Sequence, residues 1–220
     1  MSRFLSLFVA FTISLPAAGQ DKKAEPEIEF RVTRFDPTDQ PSPEFEVGLP
    51  GRQIGVKVPL TYIAGPFKTR LREGGFLDFW RAGEEKPEIS LRITEVEQKD
   101  LLLFFIPFKE SFKIMKVSTS PKRIGGGDRL LFNATKSQMA IKLGNAKPLL
   151  IEPGKSKLLK GPGGKDAVSI PVLISLKEGK EWKLVSTEQW LCDPRFRKFL
   201  FAYISSRTRH LAFHGVSERL

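Results

Sequence analysis

The residues able to do chemistry are few and scattered. Histidine occurs at His210 and His214 only, and cysteine at Cys192 only. On a strand, side chains four residues apart share a face but sit about 13 Å apart. One zinc ion, with ligands near ~2 Å, cannot bridge that gap. A helix would bring the two rings together, but Leu211, Phe213 and the preceding SSRTR read as a turn followed by a strand. Both histidines are therefore expected to face solvent. Cys192 has no histidine near it in sequence to generate thiolate and reads as a small buried residue. A single cysteine makes no internal disulfide, even in an oxidising compartment.

Carboxylates occur close together at Glu84-Glu85, Glu95/Glu97 and Asp36/Asp39. Acid–base hydrolysis needs two carboxyls converging on a substrate, one with a raised pKa, and local spacing shows no such pair. Gly154-Lys155-Ser156 imitates the end of a phosphate-binding loop, which requires a glycine five residues before Gly154. That position is Leu149, and the local pattern is strand–turn–strand. Gly125–Gly127 and Gly161–Gly164 lack the spacing and following helix of a dinucleotide site. No serine sits in a GxSxG elbow. The residues point to no catalytic centre, cofactor or metal site, and the chain reads as non-enzymatic; a hydrolase with a site not visible in sequence is the second alternative.

Two groups of residues could serve binding. The segment Lys155–Lys165, through Lys155, Lys157, Lys160 and Lys165, together with Arg195, Arg197 and Lys198, could form an anion-binding patch, extended by Arg207 and Arg209. The same lysines on edge strands and loops would also discourage strand-to-strand aggregation. Trp182 and Trp190 could stack on sugar rings, because an even separation on a straight strand puts both on one face. Core packing is the competing role for both. Phenylalanine outnumbers tyrosine 18 to 2, which favours a dry core over a wet sugar-binding face.

Charge and the N-terminus set the setting. The net charge is +11, and +10 once Arg3 is removed with a leader. Such an excess suits anionic polysaccharide or lipid headgroups, or an envelope protein, as partners. Because the charges look spread along the chain rather than blocked, nucleic acid is disfavoured. Arg3, the apolar Phe4–Leu15 and the small residues of PAAGQ form the three parts of a secretory signal, cut near Gly19. No second apolar segment reaches the ~20 residues of a membrane span. The expected location is the periplasm or the extracellular space.

The elements that must position these groups are strands. The densest apolar run, Leu101–Phe108 (LLLFFIPF), is too short to span a bilayer and reads as a strand covered on both faces. Phe199–Ile204 (FLFAYI) is its counterpart in the second half. Period-two alternation recurs at Glu27–Arg34, Ile54–Val58, Ile89–Ile93, Met139–Leu143 and Val168–Ile174. Turn signals every eight to twelve residues give about sixteen short strands, the cadence of sandwiches and barrels. The one helix candidate is Ser186–Leu191, on the capping-box spacing of Ser186 and Gln189.

The expected fold is all-β and antiparallel, with two small Ig-like or sandwich-type modules. A signal peptide spans 1–19 and a flexible lead-in 20–26. The modules span 27–120 and 129–220, joined by a Gly-rich linker at 121–128. Aligning Leu101 with Phe199 places LLLFFI on FLFAYI and suggests a distant duplication, with EISLRI opposite VSIPVLI and a hairpin inserted at 177–190. Asn133-Ala134-Thr135 has the form of a glycan acceptor. The segment from Phe132 to Ser156 is similar in style to the small sandwich modules of signal-bearing, β-rich bacterial envelope proteins. That resemblance carries no functional residue across.

Overall fold

A computed structural model describes residues 25–36, 41–94 and 100–220. The leader-like segment, Asp39 and Glu95/Glu97 lie outside the described residues.

Among the described residues, sixteen strands form four four-stranded sheets. The first half supplies β1 (Glu27–Arg34), β2 (Glu44–Val47), β3 (Ile54–Lys57), β4 (Ala64–Arg70), β5 (Phe76–Trp80), β6 (Ile89–Arg92), β7 (Leu101–Phe108) and β8 (Ser111–Ser118). The second half supplies β9 (Arg129–Asn133), β10 (Met139–Leu143), β11 (Leu149–Ile151), β12 (Ser156–Leu159), β13 (Val168–Glu178), β14 (Glu181–Cys192), β15 (Phe196–Ile204) and β16 (Leu211–Arg219). Sheet A runs β4-β1-β7-β8 and sheet B runs β3-β2-β5-β6. Sheet C runs β12-β9-β15-β16 and sheet D runs β11-β10-β13-β14. Adding eight to each strand number of A and B yields C and D, so the halves share one topology. Pairing is antiparallel except for β1 with β7 and β9 with β15, which are parallel. Among the described residues, no helix is long and apolar enough to cross a membrane.

Alternation along the central strands builds a stack of layers in the order B, A, C, D. From β7, Leu101, Leu103 and Phe105 meet Phe45, Leu77 and Phe79 of sheet B. Leu102 and Phe104, on the opposite face, meet Phe199 and Phe201 of β15 and Val216 of β16. Between C and D lie Leu131, Ala202, Met139, Val172 and Ile174. A strand covered on both faces needs an apolar residue at every position, which is why LLLFF is continuous rather than alternating. The five residues Leu101–Phe105 are at most 1% exposed.

The repeat has a different register from the one the sequence suggests. Phe35 N–H donates to Phe105 O, and Ala134 N–H donates to Ala202 O, at equivalent places in A and C. Phe105 is thus equivalent to Ala202, and Leu102, not Leu101, to Phe199. A one-residue slip exchanges the faces of a strand: Leu101 faces sheet B, whereas Phe199 faces the other module. VSIPVLI lies in β13, the counterpart of β5, and EISLRI contains β6, the counterpart of β14. No inserted hairpin is required. Ser186–Leu191 lies within β14 and is strand, because pairing with β13 satisfies the backbone that a short isolated helix would leave open.

The glycine-rich linker is held down at many points. Asp128 accepts from the amides of Gly125 and Gly161 and pairs with Lys160 at 2.7 Å. Gly127 N–H donates to Phe196 O. Gly126 is needed for space: a Cβ there would lie 1.7 Å from Pro194 O. Gly126→Ala should therefore force backbone apart and lower stability by roughly 1–3 kcal/mol, as overpacking does. Thermal melting against Gly55→Ala, where a Cβ meets open space and the backbone has no positive φ, would check this.

Candidate binding surface

The modules meet over polar groups as well as phenylalanines. Glu218 of β16 takes two cations, Arg197 of its own sheet at 2.7 Å and Arg31 of the first module. Arg31 also donates to Thr119 Oγ1. Arg197 donates to Thr119 O and to Ile124 O, the latter at 3.1 Å. Burial holds both guanidinium pKa values below the ordinary arginine value, and neighbouring Arg31 adds to the effect on Arg197. Arg197, counted from sequence as a surface cation, is 3% exposed and occupied by this clamp.

The other proposed anion ligands do not converge into one open patch. Lys155 and Lys157 are exposed at and before β12, an edge strand, and Lys165 lies in the loop that follows. Lys160 and Lys198 lie at the same end of sheet C around Asp128, which pairs with Lys160 and whose carbonyl accepts from Lys198 N–H. Burial and then Arg129 lower the Lys198 pKa. Arg195 forks onto Asp193, whose pKa is held down to about 2, chiefly by that side-chain hydrogen bond.

The two histidines also part company. His210 is exposed in the turn before β16. His214 donates from Nε2 to Leu60 O of the first module at 2.9 Å and lies against Phe35. Burial lowers its pKa; the Leu60 and Arg34 carbonyls and Asp36 oppose that shift, while the Arg34 charge adds to it. The unfolded chain therefore binds a proton that the folded site resists. Stability should be full above the ordinary histidine value of about 6.5 and fall as pH drops below it. His214→Asn should flatten that slope in denaturant titrations between about pH 5 and 8.

Other side chains singled out from sequence are structural. Cys192 is buried, and its Sγ accepts from Arg129 at 2.8 Å. Asn133, the acceptor of the glycan triplet, is 0% exposed. Its amide donates to Ser137 O and Ile151 O while its oxygen accepts from Thr135. That site is closed to a glycan. Among the described residues, no group of three His, Cys, Asp or Glu could hold a metal ion.

Trp182 and Trp190 lie on opposite faces of β14. The pairing shifts from Ile174↔Ser186 to Ser175↔Leu184, leaving Val185 as an extra residue. A bulge of this kind reverses the alternation beyond it. Trp190 points inward, 9% exposed, with Nε1–H donating to Glu188. Trp182 points outward, beside Lys177.

That outward face of sheet D carries a pattern no sequence motif announced. Following the pairing across the sheet, Leu150, Ala140, Ser175 and Leu184 form one row. Lys142, Leu173 and Thr187 form the next, followed by Pro171 with Gln189 and Ser169 with Leu191. Lys177 and Trp182 close the other end. Leu184, Leu191, Leu150, Trp182 and Leu173 are 56, 53, 49, 42 and 38% exposed. None of these paired positions is a carboxylate; at the margins Glu152, just past β11, accepts from Gln138, and Glu178 pairs with Lys183 at 3.6 Å. The equivalent face of sheet B carries Glu44 opposite Lys57, Glu46 opposite Trp80, and Asp78 opposite Ser90. There the charges are matched: Lys57 pairs with Glu44 at 3.3 Å and Arg72 with Asp78 at 2.7 Å.

Charge follows the same division. Residues 129–220 hold 17 Lys and Arg against 7 Asp and Glu, a net +10. Residues 1–128 hold 19 against 18, a net +1. The basic excess thus belongs to the second module rather than to the whole chain. The chain matches no protein-family model and no curated protein sequence.

Proposed function

We propose that the protein is an exported, non-catalytic binding or scaffolding protein whose second module makes the contact. One observation carries this reading: of two equivalent outer sheet faces, one is polar and charge-matched, while the paired rows of the other expose leucines and Trp182 with Lys142 and Lys177 and hold no carboxylate. Contiguous exposed apolar surface of this kind marks interaction sites. The apolar contact and the ion-pair clamp between modules favour one rigid support for that face. Export rests on the leader-type N-terminus.

The side chains suited to catalysis have other partners. Asp78 is held by Arg72 and Ser90, Asp128 by Lys160 and backbone amides, and Asp193 by Arg195. A general acid needs a raised carboxyl pKa, and Asp193 is displaced the other way. A sugar platform built from both tryptophans has no support, because the bulge at Val185 separates them.

Photo-crosslinking groups placed at Ser175 and Thr187 should capture a partner, protein or lipid, in the native envelope. The same group at Gly55 or Ser90 on sheet B should capture none. Equal capture from both ends, or capture from sheet B alone, would overturn the assignment.

A further inference from the structure

We infer that the outer face of sheet D docks on an anionic lipid bilayer, laying its leucines and Trp182 into the headgroup region while its lysines meet lipid phosphates. This rests on the binding role proposed above and names its partner.

Three features of the face select that occupant. Leu150, Leu173, Leu184 and Leu191 stand on one pleated surface and are 38–56% exposed, so they are available without rearrangement. Apolar side chains on a flat surface suit the boundary between headgroups and acyl chains, where buried apolar area drives peripheral binding. Trp182 stands at the sheet end next to Lys177. Tryptophan favours the membrane interface because its ring is apolar and its N–H polar. Lysine stems can lie along apolar surface while the ammonium reaches a phosphate.

Charge completes the argument. Lys142 and Lys177 are the charged residues of the face. At the hairpin tip Lys183 pairs with Glu178 at 3.6 Å, and Lys180 lies beside Glu181, so the tip adds little net charge. Each lysine held within a Debye length of an anionic leaflet adds to the attraction. The net +10 of the second module adds a longer-range attraction. Sheet B supplies an internal control: with the same topology, its corresponding face mixes Glu44, Glu46 and Asp78 with its cations.

The same features disfavour other occupants. Two copies joined through this face would bring lysines against lysines, with no carboxylate in the rows to relieve them. An acidic polysaccharide would gain from the lysines but would leave the leucines without use.

Co-sedimentation tests the assignment directly. The full chain should pellet with phosphatidylcholine vesicles containing phosphatidylglycerol and remain in the supernatant with phosphatidylcholine alone. Leu173→Glu with Leu184→Glu should lower the partition at least tenfold, and Lys142→Gln with Lys177→Gln should lower it severalfold. Glu46→Gln on sheet B should leave it unchanged. Melting curves would confirm that each variant folds. As a readout needing no variant, Trp182 fluorescence should shift to the blue and be quenched by brominated lipid, since Trp80 and Trp190 are already buried.

Absence of pelleting at low salt overturns the inference. So does equal pelleting of the glutamate variant, which would put the contact elsewhere on the chain, the apolar N-terminal segment included. A dimer that the glutamate variant converts to monomer would assign the face to a second copy. Crosslinking from Ser175 to a protein, without vesicle binding, would sink the lipid assignment and leave the binding role standing.

Discussion

Replacing Glu218 by alanine should destabilise the protein by about 3–5 kcal/mol, because it removes one partner of a largely buried ion pair and leaves charge behind. The Arg197 side chain is 4% exposed and that of Glu218 14%. Arg197 would keep its bonds to Thr119 O and Ile124 O but lose its counter-charge. Arg31 would lose the same carboxylate from the other side. Glu218→Gln should recover part of the loss, since the amide oxygen can still accept one hydrogen bond. Urea unfolding would measure both. A loss below ~1 kcal/mol for the alanine variant, the usual worth of an exposed pair, would show that the clamp is solvated.

Truncating Phe104 to alanine should cost a similar amount, about 3–5 kcal/mol, as large-to-small changes at buried aromatics do. Its ring sits 5.5 Å from Phe199 and 5.2 Å from Phe201, both of the other module. The consequence should differ in kind from that at its neighbour. Phe105 packs with Phe45 and Phe79 inside the first module. Phe104→Ala should therefore split unfolding into two transitions, with Trp80 and Trp190 reporting separate modules. Phe105→Ala should weaken the first module mainly. Coincident transitions in Phe104→Ala would mean that cooperativity does not run through this contact. Both variants bear on function, because a loosened contact would detach the proposed docking face from its support.

Much of the architecture is legible in the pattern of side chains. A strand has a period of two, so Ile28, Phe30 and Val32 predict a half-buried β1, and they line the first core. The unbroken LLLFF predicts cover on both faces, and β7 has it. The candidate site was harder to read. Lys155, Lys157, Lys160 and Lys165 are neighbours in sequence, as are Arg195, Arg197 and Lys198. Folding disperses them, since Asp128 and Glu218 come from other segments to meet Lys160 and Arg197, while Asp193 holds Arg195 from two residues away. The proposed contact surface is assembled from β10, β11, β13 and β14, so no single local motif marks it. Charge counted by halves is the signal that would have pointed to the second module.

The order of residues alone determined that this chain pleats, where it turns and which strands are buried twice, because those properties follow from alternation and turn chemistry within a few residues. Tertiary structure decided which face of each strand meets the other module. It also decided where Arg197 and His214 are spent, and on which side Trp182 lies. Each of those depends on register between distant segments. One extra residue, such as Val185, exchanges inside for outside, and nothing in its own neighbourhood signals the exchange.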